Sequence, residues 1–184
     1  GTLTYDGQPH LISAAVVGAQ DGKNVSFKYN SNTHSFTDAG TYTLSVSELN
    51  NKNYTLSGVE GQTSPALIIK PQSVVISWNL YDDVVYDGTE RELIATVKGS
   101  MDGTEIPFTY GEGTRTCTNV GTYTGKVDGL ADKNYTLDNA VGQKEISVSV
   151  TVRTVEAVWS GETDVVYDGA EHTLTATIAD LSLG

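Results

Sequence analysis

The chain is poor in cysteine, proline, positive charge and long apolar runs, and each shortage closes off a class of protein. One cysteine, Cys117, stands among 184 residues, so no disulfide forms within the chain. Small extracellular scaffolds held together by disulfides are thereby excluded. No apolar run approaches the roughly 20 residues of a membrane-spanning helix, so membrane insertion by that route is not expected. Lys and Arg number 11 against 23 Asp and Glu, a net charge of −12. An acidic surface of that size repels phosphate backbones and anionic lipid, and nucleic acid is not an expected partner. Long helix-forming runs are also missing. Glycine (19) and tyrosine (10) are plentiful, with threonine and valine, which is the composition of strands joined by turns.

What is present is a repeat. Tyr5-Asp6-Gly7 recurs as Tyr86-Asp87-Gly88 and Tyr167-Asp168-Gly169, a stride of 81 residues. Gly40-Thr41-Tyr42-Thr43 returns as Gly121-Thr122-Tyr123-Thr124, and Lys52-Asn53-Tyr54-Thr55-Leu56 as Lys133-Asn134-Tyr135-Thr136-Leu137. Trp78 returns as Trp159. Repeats of about 20–50 residues build solenoids; a stride of 81 suits a small domain with its own core. The phasing predicts three segments: 1–71, a first copy without its opening strand; 72–152, a complete copy; and 153–184, the first strands of a third. The connection around Pro71-Gln72 is short and lacks glycine, which restricts swinging, so a semi-rigid, elongated array is expected.

Alternation places the strands. Val74, Ile76 and Trp78 share one face against Val75 and Ser77, and Val155, Ala157 and Trp159 repeat the pattern. A long strand is expected over Thr41–Ser47, short ones near Phe27–Tyr29 and Phe108–Tyr110, and closing strands over Ala66–Lys70 and Ile146–Val150. Asp-Gly after Tyr marks tight turns, since glycine supplies positive φ. Asp21-Gly22 and Asp102-Gly103 carry the same signal. Six or seven short strands in about 80 residues read as a β-sandwich. The 153–184 tail could fill the vacant edge of the first copy in another chain, a head-to-tail strand complementation; the plainer reading is a local hairpin, or further residues beyond Gly184.

Asp38-Ala39-Gly40-Thr41-Tyr42 and Asn119-Val120-Gly121-Thr122-Tyr123 are similar to the D-x-G-x-Y stretch of immunoglobulin-like domains, where the tyrosine hydroxyl bonds back to the chain. The cysteine that follows in antibody domains is replaced by Leu44 and Gly125. The set Val-Tyr-Asp-Gly, Gly-Thr-Tyr-Thr, Asn-Tyr-Thr-Leu resembles the YDG/MBG-type (mostly β, glycine-rich) bacterial Ig-like surface-protein repeats, and the resemblance covers essentially the whole chain. It implies an all-β fold of tandem Ig-like antiparallel β-sandwich domains in an elongated arrangement. It also implies a stalk or spacer in a secreted or cell-surface bacterial adhesin-like protein. Partners implied are neighbouring repeats and a host or bacterial surface protein or glycan.

A search for chemistry yields no catalytic, cofactor-binding or metal site. His10, His34 and His172 read as solvated; His10 and His172 share a stride position that Arg91 occupies in between. Cys117 aligns with Phe36 and reads as a buried apolar residue. Asp6, Asp87 and Asp168 read as caps of their own turns. Weak calcium binding there, or at Asp82 and Asp83, is the rival reading, but calcium takes six to eight oxygens and each turn offers one aspartate. An isopeptide bond between Lys52 and Asn53, or Lys133 and Asn134, is not expected, because neighbours in a strand point to opposite faces. Asn24, Asn53 and Asn134 head glycosylation-type triplets that read as incidental, with Tyr54 and Tyr135 packed on a sheet. Trp78 and Trp159 are placed in cores. The rival function is a carbohydrate-binding module using exposed aromatics, for which Tyr29, Tyr81 and Tyr110 are the candidates.

Overall fold

The computed structural model describes residues 1–56 and 65–180, and every regular element among them is a β-strand. The first copy supplies β1 (Thr2–Thr4), β2 (His10–Leu11), β3 (Phe27–Tyr29), β4 (Ser35–Phe36), β5 (Gly40–Thr43), β6 (Val46–Leu49) and β7 (Ala66–Lys70). The second supplies β8 (Gln72–Trp78), β9 (Val84–Val85), β10 (Arg91–Glu92), β11 (Ala95–Gly99), β12 (Phe108–Tyr110) and β13 (Thr116–Cys117). It continues with β14 (Gly121–Leu130), β15 (Tyr135–Val141) and β16 (Glu145–Thr151). The third supplies β17 (Val155–Ser160) and β18 (Thr175–Asp180). The fold is all-β and built of tandem copies.

The stride is reproduced in the strand registers. Leu3 lies opposite Ile69, and Val84 opposite Val150. His10 faces Phe36 as Arg91 faces Cys117, and Phe27 faces Leu49 as Phe108 faces Leu130. Trp159 faces Ala176 as Trp78 faces Ala95. Register is strongly specified because a one-residue slip would turn every buried side chain outward. The pairs β1–β7, β8–β15 and β9–β16 are parallel, so the three sheets that hold them are mixed, while β2–β4, β3–β6, β10–β13 and β17–β18 are antiparallel pairs. Alternation locates a strand but does not reveal its neighbour's direction, which a crossover connection decides.

Residues group into two compact units. One holds Gly1–Trp78, Ala95–Gly111 and Lys126–Glu145; the other holds Asn79–Ile94, Glu112–Gly125 and Ile146–Gly184. The grouping does not follow the stride: the first unit unites the first copy with the half of the second that bonds to it.

In the first unit, Ile12, Leu44, Leu67 and Ile69 form a core against which Leu3, Tyr5, Tyr29, Phe36 and Tyr42 pack. The strand expected over Thr41–Ser47 is broken after Thr43. Ser45 exchanges bonds with Asn30, donating its N–H to the side chain and accepting from the backbone. The chain thereby leaves β7 and joins β3, a change of partner that turns a sandwich corner. β8 lies between antiparallel β11 and parallel β15. Its Val74, Ile76 and Trp78 are buried as the alternation requires, while Val75 and Ser77 lie on the other face, Val75 partly exposed. The Trp78 indole N–H donates to the Gln143 carbonyl at 2.9 Å.

In the second unit, Leu93, Cys117, Val148 and Val150 are buried, and β17 and β18 form a local hairpin. Here one expectation fails. Trp159 is 67 % exposed against 5 % for Trp78. Its strand pairs with β18 alone, and among the described residues no second layer covers the hairpin's apolar face. A strand's alternation states which residues lie together, not what is stacked upon them.

The two tryptophans should therefore respond differently. Trp78→Ala is expected to lower stability by about 3–5 kcal/mol, the usual cost of emptying a core aromatic site. Trp159→Ala should stay within about 0.5 kcal/mol. Denaturant unfolding of both variants measures this, and equal losses would contradict the burial difference.

Candidate functional site

The Tyr-Asp-Gly turns are self-contained. Asp6 Oδ1 accepts the Gln8 N–H, Asp87 Oδ1 the Thr89 N–H and Asp168 Oδ1 the Ala170 N–H, each at 2.9 Å. The following glycines hold φ near +75°, where a side chain would be strained. The aspartates thus cap their turns, as read from the sequence. Each also holds a basic side chain four residues on: His10 at 2.9 Å, Arg91 at 2.6 Å and His172 at 3.0 Å. His172 is exposed and His10 half-buried; the aspartate partner adds to their reading as solvated residues. The signal was legible as a stride position filled only by His or Arg. Arg91 and the Thr89 N–H hold the Asp87 carboxyl well below the usual carboxylate range. Asp83 Oδ1 accepts the Ser149 N–H at 2.7 Å. Among the described residues no three His, Cys, Asp or Glu side chains gather as metal ligands would.

A second set of residues forms a joint between the first copy and the second, all within the first compact unit. Asn134 is only 7 % exposed. Its Oδ1 accepts the Ala39 N–H at 2.7 Å, and its Nδ2 donates to Asp38 Oδ1 at 3.1 Å. Lys133 Nζ stands 3.4 Å from Asp38 Oδ2. Gln72, fully buried, donates from Nε2 to the Tyr5 carbonyl at 3.1 Å and accepts the Met101 N–H through Oε1 at 3.1 Å. Its own N–H donates to the Asn134 carbonyl at 2.8 Å. The rings of Tyr5 and Tyr135 meet edge-on, 5.5 Å apart. A single residue, Pro71, separates β7 from β8.

Local structure explains why these residues converge. The Asp132 side chain accepts the Asn134 N–H at 2.8 Å, folding a tight turn. In a turn, neighbours need not point to opposite faces, and Lys133 and Asn134 both reach Asp38. The expectation of opposed side chains, drawn from strand geometry, is corrected there. Isopeptide chemistry still lacks its dry pocket, since the Lys133 side chain is 69 % exposed. Tyr135 is buried, as expected, and its hydroxyl donates to Asp102 Oδ2 at 2.8 Å. Gly99 makes that closure possible: a Cβ there would collide with Asp102, Gln72 and the Tyr135 ring. Burial, then the bond to Asp102, pushes the Tyr135 hydroxyl up to about 12. Burial works to raise Asp102, but bonds from Tyr135 and Thr104 leave it lowered.

Other expectations resolve individually. Tyr42 and Tyr123 donate to the carbonyls of Asp38 and Asn119 at 2.8 Å, closing the tyrosine corners. Cys117 is buried, and burial raises its thiol. Tyr81 is exposed, but Tyr29 and Tyr110 are not the open aromatics expected. Their hydroxyls accept the N–H groups of Ala14 and Ala95 at 2.9 Å, and Tyr110 lies 6.3 Å from the Trp78 ring. The two tyrosines are one stride apart, a signal of a structural role that the reading as exposed candidates passed over. Sequence reasoning missed Gln72 as a joint residue, because a lone glutamine beside Pro71 reads as linker.

An all-β chain of tandem copies joined by a bonded seam is a repeat module. The family model described as MBG domain matches residues 2–73 and 81–150, together 142 of the 184 residues. The chain belongs to the MBG domain family. No curated protein matches it, and no solved structure matches it. Among the described residues no helix is long and apolar enough to cross a membrane.

Two measurements test the joint. Asn134→Ala removes two bonds and leaves partly buried partners unsatisfied, so a loss of about 1–3 kcal/mol is expected in denaturant unfolding; a silent variant would contradict the bonding described. The Tyr135 hydroxyl titrates higher when folded than when unfolded, so its contribution is complete below about pH 10 and is lost as pH rises toward about 12. Between those values the unfolding midpoint of the native chain should fall more steeply than that of Tyr135→Phe; parallel curves would contradict the assignment.

Proposed function

We propose that the chain is a structural spacer from a bacterial secreted or cell-surface protein, holding other domains at a distance or adding weak adhesive surface. In this reading, segments 1–71, 72–152 and 153–184 are successive Ig-like modules of a stalk, and the chain performs no catalysis. The observation that supports it best is the joint. A buried glutamine, a buried asparagine and a one-residue connection stand where a flexible linker would stand between independent modules. Stiffness at each joint is what a spacer needs, because floppy linkers shorten the mean reach of an array. The proposed partners are neighbouring repeats and a surface protein or glycan; the proposed location is outside the cell. The β17–β18 hairpin, with its open apolar face, is also the segment that would serve strand complementation between chains.

A carbohydrate-binding module is the second reading, and Trp159, exposed on β17, is the observation that favours it. Nitroxide labels at Ser31 and Asp128, both exposed, test the spacer. Dipolar distances should form one narrow distribution; a broad one would overturn the stiff-joint reading. In parallel, glycan titration should leave Trp emission unchanged. Saturable quenching by a polysaccharide would favour the second reading.

A further inference from the structure

The scaffold that presents Asn134 and Tyr135 to the first copy exists a second time, one stride earlier. The Asn51 side chain accepts the Asn53 N–H at 3.0 Å, as the Asp132 side chain accepts the Asn134 N–H at 2.8 Å. The Tyr54 N–H donates to the Asn51 carbonyl at 3.2 Å, as Tyr135 donates to Asp132 at 3.1 Å. The Tyr54 hydroxyl donates to Asp21 Oδ2 at 2.7 Å, as Tyr135 donates to Asp102 at 2.8 Å. Gly22 closes its turn onto the Gly18 carbonyl at 2.9 Å, as Gly103 does onto Gly99 at 3.0 Å. Even the close approach is copied: a Cβ on Gly18 would collide with Asp21 and the Tyr54 ring.

Among the described residues the cover differs. Asn134 is buried beneath Asp38 and Ala39, whereas Asn53 is exposed. Where Gln72 and the Tyr5 ring pack against Tyr135, the first copy has an open hollow of about 490 Å³, lined by Ala19, Gln20, Asp21, Asn53, Tyr54 and Thr55. A preformed asparagine in an aromatic-floored hollow matches a guest that offers a main-chain N–H, an acceptor side chain and an aromatic ring. The MBG repeat itself offers that set at Ala39, Asp38 and Tyr5.

We propose that the Asn53–Tyr54 end of the first copy is a docking site for another MBG repeat, which presents its own counterparts of Asp38, Ala39 and Tyr5. The Lys-Asn-Tyr motif thereby serves the same role in the first copy that Lys133-Asn134-Tyr135 serves in the second. This rests on the spacer reading and deepens it by naming the partner of the open end.

The test duplicates residues 1–81 ahead of Gly1, which keeps the stride, and compares Asn53→Ala in the native and extended chains. In the extended chain Asn53 is taken from the original copy, and the reporter is the Ala39 amide of the added copy. That amide should be protected from hydrogen exchange, and Asn53→Ala should remove the protection and lower the thermal midpoint by roughly 2 °C or more. In the native chain Asn53→Ala should be silent. An unprotected added Ala39, or an Asn53→Ala without effect in the extended chain, would overturn the proposal. If that happens while dipolar distances across the original joint stay narrow, the docking site fails alone and the spacer reading stands.

Discussion

Two carboxamides out of reach of water constrain the molecule. Gln72 and Asn134 are buried, and a buried amide without partners is costly, by about 1–3 kcal/mol for each group left unmade. Their partners are supplied by Tyr5, Asp38 and Ala39 of the first copy and by Met101 of the second. Among the described residues no buried side-chain nitrogen or oxygen lacks a hydrogen bond. Apolar contact alone is non-directional and would not fix how the two copies meet. Directional bonds admit one arrangement, so polarity fixes the seam while the alternating Val, Ile and Leu residues supply the cores.

Much of the fold was legible because the information is periodic. A residue pair seen twice at one stride reports a position rather than an accident, and the Tyr-Asp-Gly caps, the tyrosine corners and the burial of Cys117 all followed from that. Strand location followed from alternation. What alternation could not reveal was anything dependent on a partner. Trp78 and Trp159 sit in matching registers, yet one is in a core and the other is open, because among the described residues a second layer covers β8 and none covers β17. Parallel pairing at β1–β7, β8–β15 and β9–β16 was likewise hidden, as it depends on where each connection crosses.

The joint was half legible. Lys-Asn-Tyr stood out as a repeated motif and Tyr135 was expected to pack, but nothing in a single sequence says which end of a domain touches the next. Gln72 was hidden more thoroughly, because its stride counterpart is Arg153 and no repeat called attention to it. Junction residues are the least periodic part of a tandem protein whenever the copies at either side differ. Function in such a chain is therefore read less from side-chain chemistry than from the contacts between copies.

The central claim is that the first two copies share a bonded seam, with the ring of Tyr5 against that of Tyr135. Nuclear Overhauser spectroscopy on the intact chain, with labelled tyrosine, addresses it directly. Ring centroids 5.5 Å apart should give cross-peaks between the two spin systems. Two well-dispersed tyrosine spectra with no connection between them would contradict the account.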